Sequence, residues 1–186
     1  HSLYLAALDR YIAAVRAQTT AVLDQTGTLQ AVLQQLFQTQ LDALLSDPAR
    51  RGCFLVNASL EMAPHDPEVN TIIQSALHEL EEGLYRLLIK AQVAGELSWK
   101  HDPHQLAHFL VAILVSLRVL ARVQQDRRVL QDVFVKAMRH GQGFCTLNDP
   151  RAWLFQVARN ALVDRARTSH PTEPLPEGSA EPVAEP

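Results

Sequence analysis

Three closely spaced histidines are the side chains in this sequence that most resemble the ligands of a metal ion. His104 and His108 are four residues apart, so on a helix their imidazoles would lie on one face and could converge on one cation. His101 precedes them, but no Cys, Asp or Glu follows at a matching spacing, and Asp102 is better used as a helix cap. We therefore expect no metal site.

The residues that could act as nucleophiles also lack the neighbouring groups that such chemistry needs. Cys53 and Cys145 lie 92 residues apart, which is not the spacing of a metal-binding pair and is typical of reduced thiols in a cytoplasmic protein. Ser59, Ser75 and Ser116 fall within helical patterns, and none forms a nucleophile elbow. The sequence predicts neither an enzyme nor a bound cofactor, and it favours a cytoplasmic location.

A group of cationic and aromatic side chains near the C-terminal end could contact DNA. Arginines bind backbone phosphates, and aromatic rings stack on unpaired bases. The six residues are Arg151, Trp153, Phe155, Arg159, Arg165 and Arg167. The alternative interpretation is that Trp153 and Phe155 are only the hydrophobic anchor of a terminal helix.

The composition favours helices and excludes several classes of protein. Apolar residues make up 47% and charged residues 20% of the 186 residues, enough to fill a core and too apolar for a wholly disordered chain. Seven glycines and three tyrosines are few for a β-sandwich or barrel. The net charge of −3 excludes a polycation that coats nucleic acid. Residues 168–186 hold four acidic groups, no basic group and five of the ten prolines, which predicts a disordered tail.

Apolar residues recur at steps of three and four along most of the chain, which predicts an all-α fold of about six helices, with one extra helix near the C-terminus. Asp-Pro pairs indicate helix starts, because Asp can cap the free N–H groups of a first turn and Pro at the first position loses no hydrogen bond. Asp47-Pro48 instead begins a turn. The predicted helices are two amphipathic segments before Ser46, then 53–62, 67–94, 103–125, 126–139 and 149–168.

The most apolar of these helices begins at Pro103. Its longest apolar run, Leu106–Leu120, covers 15 residues and contains His108, Ser116 and Arg118, which makes it too short and too interrupted for a membrane span. A helix that is apolar on every side is central to a domain or shared with a partner chain. We expect no membrane association.

Residues 1–139 resemble the C-terminal effector-binding and dimerisation domain of TetR-type transcriptional repressors. The similarity is to the subgroup in which one helix carries a Gly-Cys-x-x-x-Asn pattern. The stretches that carry it are HSLYLAALDRY (1–11), RGCFLVNASLEMAPHDPEV (51–69), AGEL (94–97) and DPHQLAHFLVAILVSLRVLAR (102–122). In that family a helix-turn-helix precedes this domain, and we expect it to be absent from this chain.

The resemblance implies a small-molecule effector in a cavity closed by the helices at 52–62, 67–94 and 103–123. The expected ligand-binding residues are Cys53, Asn57, Met62, His108 and Phe109. Such cavities are mostly apolar with a few placed polar groups. Each of these residues has an alternative role, because Cys and Met are common in cores and a His on an apolar face is usually just hydrogen-bonded.

The resemblance also implies a homodimer, in which the helices at 103–123 and 127–140 pack against their counterparts across a twofold axis. The expected interface residues are Phe109, Ile113, Ser116, Leu117 and Leu120. The alternative is that these side chains fill the monomer's own core, and both can hold for a helix that is apolar all round.

A second stretch, 129–167, is similar to part of the promoter-melting region of ECF-type sigma factors. VLQDVFVKAMR (129–139) and NDPRAWLFQVARNALVDRAR (148–167) carry the similarity. It implies that Phe144 and Asn160 hold a flipped-out promoter base, with Arg151 and Arg159 on the DNA. The two resemblances overlap within 126–139, which indicates a join inside one helix.

Together these observations predict a TetR-type transcriptional regulator that binds a small-molecule effector and forms a homodimer. DNA would be reached only through a missing N-terminal domain or through the sigma-like segment. The alternative is a sigma-like transcription-initiation module that binds promoter DNA and RNA polymerase.

Overall fold

Helices account for all the regular structure in the computed structural model, which describes residues 1–132 and 135. The five complete helices are α1 (Ser2–Leu23), α2 (Leu29–Leu45), α3 (Phe54–Glu61), α4 (Pro67–Val93) and α5 (Pro103–Val123). A sixth, α6, is described over 127–132 and at 135. These residues contain no strand, and the prediction of an all-α bundle is confirmed.

Several sequence predictions fall on residues outside this described part of the chain. They are the helix at 149–168, the tail at 168–186 and the candidate DNA contacts Phe144, Arg151, Arg159 and Asn160. They stay predictions.

Aspartate caps begin α4 and α5 where the Asp-Pro pairs predicted helix starts. The Asp66 carboxylate accepts hydrogen bonds from the backbone N–H groups of Glu68 at 3.0 Å and Val69 at 3.2 Å. Asp102 accepts one from the N–H of His104 at 2.9 Å. Each cap satisfies donors that a first helical turn leaves without a partner, worth about 1 kcal/mol.

The loop between α4 and α5 is held by a buried side chain of α4, that of Gln92. Gly95 ends α4 with a φ of +76°, a conformation that costs glycine little because it has no Cβ. The buried Gln92 amide then donates to the backbone carbonyls of His101 at 2.8 Å and Ser98 at 3.3 Å. This loop therefore fixes how α5 returns along α4.

Three clusters of buried apolar side chains hold the helices together. The first joins α1, α2, α4 and α5 and includes Leu23, Leu36, Leu84, Leu88 and Leu114. The second, the α2–α5–α6 cluster, consists of Phe37, Leu41, Phe109, Ile113, Leu117, Ala121 and Leu130. The third joins α1, α3 and α4 through Leu8, Ile12, Ala58, Val69 and Ile73. A fully buried leucine contributes about 1.5–3 kcal/mol, so these clusters dominate the stability of the bundle.

Helix α5 is longer than the apolar run that marks it in the sequence. It has 21 residues and is long and apolar enough, by length and composition alone, to cross a membrane; the 15-residue run Leu106–Leu120 suggested otherwise. The core helix of a soluble protein passes the same test, and eight α5 residues are buried against neighbouring helices. We interpret α5 as a core helix of the bundle.

Candidate functional site

A cavity of about 380 Å³ lies between α1 and α4. The start of α3 and one residue of α5 also line it. Its apolar wall consists of Ile12, Val15, Leu23, Leu55, Ala76, Leu77, Leu80 and Leu87. Sites for small organic molecules have volumes of roughly 300–1,000 Å³ and mostly apolar walls. The cavity is therefore large enough for one small ligand.

The two walls approach each other closely at Gly83 of α4, which also lines the cavity. A Cβ at Gly83 would lie 3.0 Å from Cδ1 of Leu23 on α1, which is tighter than about nine in ten real Cβ contacts. The absence of a side chain here lets α1 pack tightly on α4 beside the cavity.

Tyr11 and Cys53 form one polar pair in the cavity lining. The Tyr11 hydroxyl donates to Sγ of Cys53 at 3.4 Å. Burial raises the pKa of Tyr11 to about 12, and the hydrogen bond to Cys53 adds to the shift, because both favour the neutral phenol. At neutral pH Tyr11 thus presents an uncharged hydroxyl to the cavity.

Arg118, in the C-terminal half of α5, is the most buried cation of the cavity lining, with 6% of its surface exposed. Its Nη2 donates to Oε1 of Gln40 at 2.8 Å. Nε2 of Gln40, which is equally buried, donates to Oγ1 of Thr19 at 3.4 Å. This chain of polar groups links α5, α2 and α1, and both of its ends, Arg118 and Thr19, line the cavity.

Charged side chains of both signs surround the outer part of the cavity. Arg16 of α1 pairs with Glu79 of α4 at 2.8 Å, with both side chains well exposed, so the pair contributes little to stability. The lining as a whole carries the cations Arg16, Arg86, Lys90 and Arg118 and the anions Asp24, Glu79 and Glu82. Four positive and three negative groups give the site a formal charge of +1 with histidine neutral, opposite in sign to the −3 of the whole chain.

Of the five ligand-binding residues expected from the sequence, one lines this cavity, namely Cys53. Met62 packs in the cluster of α1, α3 and α4, and Phe109 is buried in the α2–α5–α6 cluster. His108 is exposed on α5, with Nδ1 at 3.3 Å from Oε1 of Glu81.

The fifth expected residue, Asn57, connects α3 to α5. Its amide donates to the carbonyl of Arg51 at 2.9 Å and accepts from Nη1 of Arg122 at 3.1 Å. The Arg122 stem crosses Gly52, where a Cβ would lie 2.8 Å from its Cδ and where φ is +75°. The Gly-Cys-x-x-x-Asn pattern therefore contains two positions, Gly52 and Asn57, that hold α3 against Arg122, and one, Cys53, that faces the cavity.

The sequence reasoning missed Tyr11, Thr19 and Arg118. It placed the cavity among α3, α4 and α5, whereas α1 forms one of the two main walls. The one available signal was the position of Arg118 inside the apolar run Leu106–Leu120, because a charge in such a run is buried at a cost unless it has a partner.

The five expected dimer residues divide into two groups. Phe109, Ile113 and Leu117 are 3% exposed and pack against α2 and α6 of the same chain, as the alternative interpretation proposed. Ser116 and Leu120 are half-buried. The exposed apolar residues of α5 are instead Val119 and Val123, while Ala112 and Val115 are half-buried, as Ser116 and Leu120 are.

The histidines considered as metal ligands have other neighbours. The ring of His104 stacks on Tyr85, with centroids 3.9 Å apart, and His108 faces Glu81. In the part of the chain that the structure describes, no three His, Cys, Asp or Glu residues group as a metal site would require.

Comparisons with known proteins agree with this architecture. Residues 30–137 match the family described as tetracyclin repressor-like, C-terminal domain. A protein of Bacillus subtilis (strain 168), named "Uncharacterized HTH-type transcriptional regulator YezE", is 30% identical over 131 residues, which cover 70% of this chain and 68% of that protein. No solved structure matches the chain. Since the family match alone spans more than half of the 186 residues, the chain belongs to the TetR family of transcriptional regulators, through the C-terminal domain of that family.

Proposed function

We propose that this chain is the ligand-sensing and dimerising part of a cytoplasmic transcriptional regulator without enzymatic activity. A small molecule occupies the cavity between α1 and α4, and a second copy of the chain packs on α5 and α6. The observation that carries this proposal is the cavity itself, with about 380 Å³ of space, apolar walls and a few deep polar groups.

The position of α1 suggests how occupancy is transmitted. Tyr11, Ile12, Val15, Thr19 and Leu23 of α1 all line the cavity, so a ligand would make different contacts with different positions of this helix. A ligand shifts a conformational equilibrium only by such differential contacts. The similar protein is named an HTH-type regulator, and we propose that α1 couples the cavity to a DNA-reading helix-turn-helix.

The ligand-binding part of the proposal can be tested with the neutral apolar dye Nile red. We expect its fluorescence to rise on binding to the full chain, and we expect Ala76→Phe, which places a ring in the cavity, to reduce binding. Ala14→Phe is the matched control, because Ala14 is exposed on α1 and does not line the cavity. Equal binding by both variants, or none by the wild type, contradicts the proposal.

The dimer is proposed on the side of α5 that exposes Val119 and Val123. Val119 is 46% exposed, and a charge there would be buried without a partner in a two-chain seam. We expect Val119→Glu to convert the dimer to a monomer in sedimentation velocity. The control is Val93→Glu, on an equally apolar exposed site at the opposite end of the α4–α5 pair. A wild-type monomer at micromolar concentration contradicts the dimer.

The sigma-like segment, 129–167, is a second candidate, supported by the sequence patterns of 129–139 and 148–167 alone. It predicts binding of single-stranded promoter DNA or of RNA polymerase by the full chain and loss of that binding when 136–186 are deleted. The absence of any such binding by the full chain eliminates this candidate.

A further inference from the structure

The cavity contains a buried cation that has no carboxylate partner among the described residues. Arg118 is 6% exposed, and the ion pairs of the described part of the chain involve other cations. A guanidinium carries five N–H donors and stays protonated at neutral pH. Burying it without an opposite charge costs several kcal/mol. A ligand that carries a negative charge would offset that cost.

The remaining donors of Arg118 have no hydrogen-bond partner among the described residues. Its one hydrogen bond to the described residues runs from Nη2 to Gln40, yet no fully enclosed side-chain nitrogen or oxygen of the described residues lacks a partner. Arg118 lines the cavity, so the guanidinium donors that have no partner among the described residues are placed beside it. Gln40 holds the guanidinium in place, because its own amide is fixed by Thr19.

The neighbouring groups favour an anion with an apolar body. Tyr11 adds a neutral hydroxyl and Thr19 a second one, while the carboxylate of Glu79 at the outer part of the cavity is already paired with Arg16. The wall beyond these groups is aliphatic and includes Ile12, Leu77 and Leu87. A guanidinium recognises a carboxylate with two parallel hydrogen bonds.

We infer that the effector of this regulator is an organic carboxylate with an apolar body, whose carboxylate is bound by Arg118 in the cavity between α1 and α4. The inference rests on the proposed function, because it names the chemical class of the ligand for the same cavity.

The test uses pairs of probes that differ only in the head group. Decanoate is compared with 1-decanol, and 4-phenylbutyrate with 4-phenylbutanol, by calorimetric titration of the full chain. We expect the carboxylates to bind about 10- to 100-fold more tightly than their alcohols, the range that one or two charge-assisted hydrogen bonds provide. Arg118→Gln should remove the preference, and Arg118→Lys should retain part of it.

Gln40→Glu is a second variant, which keeps Arg118 and changes its hydrogen-bond partner. It places a carboxylate of the same shape 2.8 Å from the guanidinium, so the protein supplies its own counter-ion. We expect this variant to unfold at a higher temperature than the wild type and to bind decanoate about 10- to 100-fold more weakly, with Nile red binding unchanged. A merely structural role of Arg118 would leave decanoate binding unchanged in Gln40→Glu.

The outcomes separate this inference from the proposed function. Equal binding of carboxylates and alcohols, or a carboxylate preference that survives in Arg118→Gln, overturns the inference. Nile red binding with no binding of any carboxylate also overturns it, while the cavity keeps its proposed function. If neither Nile red nor any probe binds, both proposals fail.

Discussion

Leu117 and Arg118 are neighbours on α5, yet they face two different interiors. Leu117 is buried in the α2–α5–α6 cluster, whose members are all apolar. Arg118 is almost as deeply buried, but it lines a cavity and lies in a chain of polar groups with Gln40 and Thr19. One side of the bundle is therefore filled, and the other side keeps space around placed polar groups.

The difference shows what each side requires of its residues. On the filled side the requirement is volume, because a close-packed interior loses contacts when atoms are removed and strains when atoms are added. On the cavity side the requirement is the position of hydrogen-bonding groups around a volume that stays open. Substitutions that change only volume should therefore distinguish the two sides.

The largest effect is expected for Leu117→Ala. It removes a side chain that is 3% exposed and leaves a void beside Phe37 and Leu41, which should lower the free energy of unfolding by about 2–5 kcal/mol. Urea denaturation measures this loss. Val119→Ala, two residues along α5 and 46% exposed, is the control and should cost well under that amount; equal losses would mean that the α2–α5–α6 cluster is not close-packed.

A smaller effect is expected when the same change, Ala→Leu, is made once in the filled cluster and once in the cavity wall. Ala121→Leu adds volume to the filled cluster, where Ala121 is 4% exposed, and should cost about 1–3 kcal/mol. Ala76→Leu adds the same atoms at a half-buried position of the cavity wall and should change the free energy of unfolding by less than about 0.5 kcal/mol. Thermal or urea denaturation of the pair checks the difference, and equal costs would contradict an open cavity.

The smallest effect concerns Tyr11 at alkaline pH. An unfolded tyrosine titrates near pH 10, whereas in the folded chain burial raises the pKa of Tyr11 to about 12. Between these two pH values Tyr11 is deprotonated in the unfolded state and still protonated in the folded state. The free energy of unfolding therefore falls as the pH rises from about 10 to 12. Urea denaturation at pH 9 and pH 11 should show a smaller decrease for Tyr11→Phe than for the wild type. Parallel decreases would show that Tyr11 does not titrate between these values.

Much of the fold could be predicted because its signals are local. Asp66-Pro67 and Asp102-Pro103 mark helix starts through hydrogen bonds that span only two or three residues, and Gly95 marks an end through its own φ. Helix α5 was predicted over 103–125 and ends two residues earlier, at Val123, because no Gly or Pro marks its end.

The site could be predicted only in part, because a cavity is what the helices leave unfilled. Cys53 was identified from its pattern, but Tyr11 and Thr19 reach the same cavity only through the way α1 lies on α4. Likewise, the apolar spacing of α5 cannot tell whether Phe109 faces α2 or a second chain, since the spacing is the same in both cases.

The contact between Gly52, Asn57 and Arg122 bears on how the Gly-Cys-x-x-x-Asn pattern of this chain can be used to sort related sequences. Two of the three residues named in that pattern attach α3 to α5 in this chain, so a relative that shares them would share this helix contact, which says little about which molecule is recognised. Grouping relatives by effector would need the residues aligned with Tyr11, Thr19 and Arg118, and no short motif would collect them, because Arg118 lies 99 residues beyond Thr19.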